Sequence, residues 1–494
     1  MFLPLNDVAL GLDYTHQGSF ALDKINTILM PHTMSNLGPA MVSEDVNNDE
    51  LADLFIGGGP GQPARLFLQQ TNGRFSEVQV PAFEEHRGYE DIDALFLDVN
   101  GNGHIDLYVV SGEYSNPANG SVYQDRLYPN NGFGSFEYAR NALPPITSSG
   151  SSVVAHDYDG DGDSDIFVGG RVHSNQYPTP PRSYLLRNDE GQFTDITERA
   201  SPELNPGMVN SVTWIDIDNN GQAELIITGE WMPVRIFKKA EDHTFTEITS
   251  ESGLEQSAGW WNVLKVADLN EDGYIDLIAG NRGLNSLLKT SPEEPVMLFA
   301  DDFNEDGFTD PVITHVTDGN RYPLPGRDRL LLQLPELEEQ FPDYESYSTA
   351  TIHDILTNRQ IDDAYQVSVH TFESTVFKNN GDGTFEPIPL PRTAQIAPIY
   401  DMIVADFDQD RIPDILTAGN NYGIIPENGP TADEGVLLKG DGNFGFTPIG
   451  SKETGFSAVG EVREMMVLPS RIGPLILLAR NNDTIIPYLY QRKE

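Results

Sequence analysis

The sequence predicts an all-β fold made of repeated, antiparallel four-stranded units, and three observations support this prediction. Short runs rich in Val, Ile, Leu, Phe and Tyr alternate with clusters of Gly, Asn and Asp, which is typical of strands joined by tight turns. The 494 residues include 45 Gly and 34 Pro, while helical patterns are rare. An acidic nine-residue pattern also recurs along the chain, which indicates a repeat protein.

The recurring pattern places carboxylate or amide side chains at positions 1, 3, 5 and 9 of a nine-residue segment. Position 6 is glycine in five of the seven copies, where the chain must turn sharply with a positive φ. The residues at positions 1, 3, 5 and 9 are Asp45, Asn47, Asp49, Asp53; Asp98, Asn100, Asn102, Asp106; Asp157, Asp159, Asp161, Asp165; Asp216, Asp218, Asn220, Glu224; Asp268, Asn270, Asp272, Asp276; Asp302, Asn304, Asp306, Asp310; and Asp406, Asp408, Asp410, Asp414.

Oxygen-bearing side chains at this spacing indicate a site for a hard cation. Ca²⁺ takes six to eight oxygen ligands, and a tight loop directs positions 1, 3 and 5 toward one centre, with the carbonyl of position 7 and the carboxylate of position 9 closing the site. Carboxylates about 5 Å apart repel each other by about 3 kcal/mol per pair at an effective dielectric constant of about 20. We therefore predict up to seven structural Ca²⁺ ions. Polar strand-to-strand turns without metal are the alternative.

The seven loops are not equivalent in sequence. Glu50 and Arg411 stand where the turn glycine is expected, Glu224 replaces the closing Asp, and Pro413 precedes Asp414. We expect the strongest sites in the loops that begin at residues 157, 268, 302 and 98. The loops that begin at residues 45 and 406 are expected to be the weakest.

The spacing of strands and turns predicts a single β-propeller over residues 1–494, with the calcium loops between the first and second strands of each blade. A further unit at 465–481, whose loop at 469–474 has no carboxylate, favours eight blades. Seven blades are the alternative, because Asp268 and Asp302 lie only 34 residues apart. A strand near residues 7–14 is expected to complete the last blade. Residues 317–368 are predicted to be a partly helical insertion within one blade.

The loops, each followed by a strand such as residues 165–170, resemble FG-GAP/VCBS repeats, known from integrin α-subunit propellers, over about residues 35–481. Residues 124–128, 259–262 and 283–285 resemble more particularly the bacterial relatives of cartilage acidic protein. A C-terminal acidic-protein module often follows in those relatives, and we expect it to be missing here. The resemblance implies calcium in the nine-residue loops and an extracellular or cell-surface setting.

Composition excludes several functions. The net charge of −46, from 76 acidic and 30 basic side chains, argues against a nucleic-acid partner, because phosphate binding needs clustered Lys and Arg. The absence of Cys excludes thiol chemistry and disulfides. The sequence has no run of 18 apolar residues, so it predicts no membrane-spanning helix. We expect a secreted or cell-surface monomer whose signal or anchor lies outside this sequence.

A binding module is the predicted function, with a glycan or an extracellular protein as partner. Trp231, Trp260, Trp261, Tyr322 and Arg327 are the candidate ligand-binding residues, since aromatic rings can stack on sugars. Packing between blades is the alternative interpretation of the tryptophans.

A calcium-dependent polysaccharide lyase is the second functional hypothesis. His315, Arg321, Tyr322, Arg327 and His353 have the chemistry for proton abstraction from an acidic sugar. No spacing relates these residues to one another, so the sequence assigns no catalytic residue and favours a protein that is not an enzyme.

Overall fold

The computed structural model describes residues 1–18, 28–35, 37–112, 114, 120–201, 204, 206–424 and 433–491. Antiparallel β-sheet is the dominant regular structure in these ranges, which confirms the all-β prediction. The helices in these ranges are short, and none has the length and hydropathy of a membrane-spanning segment.

Eight antiparallel sheets occur in the described residues; six have four strands, one has three and one has five. The first strand of the chain, β1 (Phe2–Pro4), belongs to the last sheet, sheet 7. Sheet 1 contains β2 (Met41–Glu44), β3 (Asp53–Ile56), β4 (Arg65–Gln69) and β5 (Phe75–Val78); sheet 2 contains β6 (Asp91–Leu97), β7 (Asp106–Ser111) and β8 (Arg126–Tyr128); sheet 3 contains β9 (Ser149–His156), β10 (Asp165–Val172), β11 (Tyr184–Asp189) and β12 (Gln192–Asp195); sheet 4 contains β13 (Met208–Ile215), β14 (Glu224–Met232), β15 (Arg235–Lys239), β16 (Phe245–Glu247) and β17 (Gly259–Trp260).

The second half of the chain contains the other four sheets. Sheet 5 contains β18 (Val263–Ala267) and β19 (Asp276–Gly280), followed after a long insertion by β24 (Thr375–Asn379) and β25 (Phe385–Pro389); the inserted sheet contains β20 (Val296–Asp301), β21 (Asp310–Thr317), β22 (Asn320–Pro323) and β23 (Tyr365–Val369); sheet 6 contains β26 (Ile399–Ala405), β27 (Asp414–Gly419), β28 (Val436–Gly440) and β29 (Phe446–Ile449); sheet 7 contains β30 (Val462–Leu468), β31 (Leu475–Arg480), β32 (Ile486–Tyr490) and β1.

Short helices lie between the strands. They are α1 (Asp7–Leu10), α2 (Pro81–Glu85), α3 (Thr197–Ala200), α4 (Arg327–Gln333), α5 (Tyr344–Tyr347), α6 (Ile352–Ile355), α7 (Asn358–Asp363) and α8 (Ser451–Thr454), with 3₁₀ turns at Gly120–Tyr123, Pro335–Glu338 and Arg392–Gln395. Helices α4 to α7 all fall within residues 317–368, between β22 and β23.

The second strand of each sheet forms the centre of the packing. Every residue of β3, β7 and β10 is buried, and so is every residue of β14, β19 and β27. A strand buried on both faces must lie between two layers, so each sheet packs against a neighbour on either side. This explains why these segments are nearly continuous apolar runs in the sequence.

The first strands of sheets 1 to 7 contact one another in a cyclic order. β2 contacts β6, and the series continues through β9, β13, β18, β26 and β30, which contacts β2 again. Hydrogen bonds also join the first strands of neighbouring sheets. Asp93 of sheet 2 accepts from the backbone N–H of Val153 in sheet 3 at 2.8 Å. In the same way Glu464 of sheet 7 accepts from the backbone N–H of Met41 in sheet 1 at 2.7 Å.

A polar cavity of about 250 Å³ lies between these first strands. Its lining includes Asp93, Lys265, Asp401 and Glu464, and the Lys265 ammonium lies 2.7 Å from an Asp401 carboxylate oxygen.

The inserted sheet lies outside the cyclic order, because β20 to β23 fall between the second and third strands of sheet 5. One of its faces, which includes Leu298 and Ile313, packs against a core that contains Trp231 and Trp260. Its other face packs against α4 and its neighbours.

The N-terminal segment completes sheet 7 with a different strand from the one predicted. Strand β1, residues Phe2–Pro4, pairs with β32, while residues Asp7–Leu10 form helix α1. The Asn6 side chain caps that helix by accepting from the backbone N–H of Ala9, and Gly11 ends it at a φ of 87°. The prediction of a strand near residues 7–14 is therefore wrong, although the chain end does close this sheet.

Candidate metal centres

All seven acidic loops join the first and second strands of a sheet, as predicted. Six belong to sheets 1 to 6, and the loop that begins at Asp302 joins β20 and β21 of the inserted sheet. The corresponding loop of sheet 7, residues 469–474, connects β30 and β31 and has no carboxylate.

The loops share one pattern of hydrogen bonds. In the loop of sheet 2, Asp98 accepts from the backbone N–H groups of Asn102 and Gly103, at 3.2 and 2.7 Å, and the Asn102 side chain accepts from the N–H of His104 at 2.8 Å. The other six loops repeat the bond to position 1 from the N–H of position 6 and the bond to position 5 from the N–H of position 7. These bonds fold the loop around its own carboxylates.

The turn at position 6 requires a left-handed backbone even where glycine is absent. Gly103 has a φ of 81°, and Glu50 and Arg411 adopt φ values of 65° and 74° at the same position. A residue with a Cβ pays a conformational cost in this region of about 1 kcal/mol or more. The two loops without glycine therefore keep the common geometry at some expense of stability.

The carboxylate at position 9 ties three chain segments together. Asp106 accepts from the backbone N–H of Val99, in the loop, and from that of Asn130, after the third strand, at 3.2 and 2.7 Å. Equivalent pairs of bonds are formed by Asp53, Asp165, Asp276 and Asp414. A carboxylate has about four lone-pair sites, so acceptor capacity remains for a metal ion.

Burial changes the acidity of these closing carboxylates. Removal from water raises the pKa of Asp53 to about 7 and the pKa values of Asp165 and Asp310 to about 6. The hydrogen bonds that these carboxylates accept lower the pKa, but burial has the larger effect. A nearby divalent cation favours the ionised form by the opposite effect.

Three of the acidic clusters bring ligand atoms within 4.8 Å of one another and could hold a metal ion. They are Asp157 with Asp159 and Asp165, Asp216 with Asp218 and Glu224, and Asp406 with Asp408 and Asp414. Asp159 Oδ1 is buried and has no hydrogen-bond partner within the part of the chain that the structure describes. A buried carboxylate oxygen without a donor is costly, and a cation would remove that cost. The donor set of the Asp157 loop therefore fits a calcium ion.

Comparison with known families agrees with these loops. The model of the FG-GAP-like repeat matches residues 45–109, 98–168 and 216–279, and each match begins at position 1 of an acidic loop. The chain contains FG-GAP-like repeats. The resemblance inferred from the sequence is confirmed.

The curated relatives are cartilage acidic protein 1 of several vertebrates. The protein of Xenopus tropicalis is 23% identical over 270 residues, which cover 50% of this chain and 40% of the relative. The protein of Homo sapiens is 21% identical over 285 residues, which cover 52% and 41%. The matched part thus spans about two fifths of the length of these relatives.

Two solved structures show similarity at low identity. BBS1N in its complex with ARL6DN, from a crystal soaked with lead, has a TM-score of 0.42 and 9% identity, with 97% of each chain covered. The biofilm matrix protein Bap1 of V. cholerae has a TM-score of 0.41 and 10% identity, with 100% of this chain and 92% of that chain covered.

A set of six side-chain contacts in the described residues, here named the latches, connects the loops of sheets 1 to 4, 6 and 7 to the next sheet. The donor is a residue at the end of the third strand of a sheet, which is β24 in sheet 5. It donates to a backbone carbonyl at the start of the loop in the preceding sheet, and in the acidic loops this carbonyl belongs to position 2. Asn130 donates to Val46 and Asn188 to Val99, at 2.7 and 2.8 Å. Further latches are formed by Lys239 with Tyr158, Asn379 with Ile217, Tyr490 with Phe407, and Gln69 with Pro469.

The latches were missed in the sequence analysis, although a signal was available. Asn130, Asn188 and Asn379 each precede a glycine turn that follows the third strand, and this asparagine recurs at one position of the unit. In sheet 6 the position is Gly440, which has no side chain to form the contact.

The three tryptophans predicted to bind ligand are buried in the core. Trp231, Trp260 and Trp261 are 6%, 2% and 0% exposed, and the Trp231 indole N–H donates to the Tyr177 hydroxyl at 2.6 Å. The Trp261 indole N–H donates to the carbonyl of Ser257 at 3.0 Å. Rings buried to this extent cannot stack on a sugar from solvent, so the structure favours the packing interpretation.

Tyr322 and Arg327 lie in the insertion. Among the described residues, they do not line a pocket together with the tryptophan rings. Tyr322 is on β22, where it pairs with His315, and the Arg327 guanidinium donates to the carbonyl of Phe341 at 2.8 Å. His353 lies on α6 and Arg321 donates to the carbonyl of Pro295 at 3.0 Å. These contacts assign the arginines to holding the insertion together.

Proposed function

We propose that this chain is a calcium-binding β-propeller of seven blades that serves as an extracellular binding or adhesion module. The observation that carries the proposal is the common geometry of seven loops, each with oxygen side chains at positions 1, 3, 5 and 9 around one hydrogen-bonded turn. Ca²⁺ is the cation that matches an all-oxygen donor set of this kind.

The cyclic order of the sheets supports seven blades in this proposal. The first strands run from β2 through β30 and return to β2, and Gln69 of sheet 1 donates to Pro469 of sheet 7 at 3.0 Å. The inserted sheet lies outside that order, although it brings the number of sheets in the described part of the chain to eight. The short step between Asp268 and Asp302 is explained by the insertion of β20 directly after β19.

In this proposal calcium stabilises the loops and the contacts between neighbouring sheets. Five of the six latches end on the carbonyl of position 2 of an acidic loop, so an ion that fixes such a loop also fixes its contact with the next sheet. If free calcium is about ten times the dissociation constant, each occupied site adds about 1.4 kcal/mol to the free energy of unfolding. Several such sites together would rival the stability of an ordinary domain.

The extracellular setting is supported by the FG-GAP-like repeats and by the relatives named cartilage acidic protein 1. The partner in this proposal is a glycan or a protein that binds an exposed surface, away from the buried tryptophans. No catalytic activity is proposed, because Arg321 and Arg327 are engaged by backbone carbonyls.

The calcium part of the proposal is tested by thermal unfolding with excess Ca²⁺, with Mg²⁺ and with a chelator, together with elemental analysis of the dialysed protein. We expect a lower melting temperature in chelator, recovery with Ca²⁺, and bound calcium in the purified chain. An unchanged melting temperature in chelator together with no bound calcium would refute it.

The binding part is tested separately. A glycan array and pull-down from extracellular fractions, each with calcium and with chelator, should give calcium-dependent binding. Acidic polysaccharides incubated with the protein should show no rise in ultraviolet absorbance from unsaturated uronate. Turnover without any captured ligand would instead support the lyase.

A further inference from the structure

In two of the seven acidic loops a lysine ammonium lies against carboxylates that are predicted to hold a metal ion. In sheet 4 the Lys238 Nζ lies 3.0 Å from Asp218 Oδ2 and 3.5 Å from Glu224 Oε1. These carboxylates occupy positions 3 and 9 of the loop. The ammonium therefore bridges two groups that a calcium ion would have to share.

The loop of sheet 6 has a similar arrangement with a different pair of carboxylates. The Lys439 Nζ lies 3.0 Å from Asp410 Oδ2 and also pairs with the Asp408 carboxylate. These are positions 5 and 3. The carboxylates of both loops come within the 4.8 Å that marks a possible metal cluster, and in both the lysine supplies a positive charge.

The two lysines occupy one equivalent position of the repeat. The residue after position 9 is Leu225 in sheet 4 and Ile415 in sheet 6, and it pairs with Phe237 and Leu438 of the third strand, respectively. Lys238 and Lys439 come directly after these two partners. The equivalent residues of sheets 1, 2, 3 and 5 are Leu68, Pro129, Arg187 and Lys378.

Among the described residues, the other cationic residues at this position form no ion pair with their own loops, although Arg187 lies near enough to Asp159 and Asp161 to interact with them electrostatically. Arg187 pairs with Asp189 at 2.7 Å, outside its loop, and the Lys378 Nζ lies 5.7 Å from the centre of the Phe444 ring. In sheet 3 the Asp159 Oδ1 is buried and has no hydrogen-bond partner among the described residues, in contrast to the lysine-paired carboxylates. The loops of sheets 4 and 6 are therefore distinguished by carboxylates that are ion-paired with a lysine.

The same two loops depart from the repeat in sequence. Glu224 replaces Asp at position 9 of the first, while Arg411 and Pro413 occupy positions 6 and 8 of the second. The loop that begins at Asp45 also departs from the repeat, with Glu50 at position 6, but it has Leu68 at the lysine position, so the sequence changes alone do not identify the lysine loops.

We propose that Lys238 and Lys439 serve as built-in cations of the loops 216–224 and 406–414, so that the chain binds five calcium ions rather than seven. This inference rests on the proposed calcium binding. The five metal loops begin at residues 45, 98, 157, 268 and 302. The two lysine loops keep their shape, and their latches, when calcium is absent.

The test counts calcium bound to the full chain by equilibrium dialysis with elemental analysis. We expect five equivalents for the natural chain and seven for the double variant Lys238→Met, Lys439→Met. Lys378→Met is the matched control, and its count should stay at five. Seven equivalents in the natural chain, or an unchanged count in a folded double variant, would overturn the inference. No calcium in any of them would refute the proposed function instead.

Hydrogen exchange of the natural chain gives a second measurement that needs no variant. In chelator we expect exchange to rise several-fold in the loop 157–165, while the loops 216–224 and 406–414 keep their protection. Equal loss of protection in all three loops would overturn the inference, even if the double variant failed to fold.

Discussion

The side-chain amide of Asn188 donates to the carbonyl of Val99 at 2.8 Å, and this contact joins sheet 3 to the acidic loop of sheet 2. The same Asn188 accepts the backbone N–H of Gly191 at 2.8 Å, which closes its own turn. One residue therefore couples a turn, a neighbouring loop and the boundary between two sheets. Because the bonded carbonyl belongs to loop position 2, order in the loop and order between the sheets depend on each other.

Removal of this latch should destabilise the protein. Asn188 is fully buried, so Asn188→Ala leaves the Val99 carbonyl without its donor, and we expect a loss of about 1–3 kcal/mol in the free energy of unfolding. Denaturant unfolding in saturating calcium measures it. Thr194→Ala, at an exposed position of the neighbouring strand β12, is the control and should change stability by less than about 0.5 kcal/mol. Equal effects of both variants would contradict a specific role for the latch.

The absence of a latch side chain at Gly440 has a steric cause. A Cβ at this position would lie 2.3 Å from the carbonyl oxygen of Pro413, a backbone atom that cannot move without displacing the loop. Gly440→Ala should therefore cost about 1–3 kcal/mol of stability.

Gly450→Ala provides the control for this prediction, because no atom of the described residues lies within 4 Å of its added Cβ and its φ is −74°. Thermal unfolding of both variants should show a lower melting temperature only for Gly440→Ala. A melting temperature equal to that of the natural chain would show that the Pro413 segment gives way at little cost.

The buried ion pair between Arg126 and Asp91 should be more sensitive than any surface pair. Its atoms lie 2.7 Å apart, both side chains are almost fully buried, and Asp91 also accepts the backbone N–H of Gly58 in sheet 1. Arg126→Met leaves a buried carboxylate without its counter-charge, which costs about 3–5 kcal/mol.

The double variant Arg126→Met, Asp91→Asn removes both charges and should recover part of that loss. Denaturant unfolding of the two single variants and the double variant measures the coupling. Strictly additive losses would show that the two side chains act independently.

The sequence predicted the strand–loop–strand units and the positions of all seven acidic loops, because both depend on local spacing. Residues such as Asp106 and Gly103 mark a loop whatever surrounds it. The inserted sheet was not predicted, since β20 and β21 carry the same nine-residue pattern as the other sheets, and only tertiary packing separates them.

Contacts between residues that are remote in sequence account for the other features that the sequence did not predict. The burial of Trp260 depends on the inserted sheet and on Met30, which are remote in sequence. The lysine pairs at Lys238 and Lys439 required the register between the second and third strands, which a sequence pattern does not give.

The carboxylate of Asp125 should make stability depend on pH. It is 1% exposed, accepts from the backbone N–H of Ser111 and from the Tyr108 hydroxyl, and lies beside Arg126. Burial outweighs these favourable contacts and raises the pKa of Asp125 to about 7. The folded chain thus keeps a proton on this group that the unfolded chain releases near pH 4.

The sign of the effect follows from that difference. Below about pH 4 both states are protonated and the group has no effect, whereas between about pH 4 and 7 the unfolded state binds fewer protons and stability falls as the pH rises. Asp125→Asn removes this dependence, so its stability relative to the natural chain should increase by up to about 4 kcal/mol between pH 4 and 8. Denaturant unfolding of both chains at several pH values in saturating calcium measures the difference. Parallel profiles would mean that Arg126 and the two hydrogen bonds hold the carboxylate ionised in the folded state, and that burial does not dominate at this site.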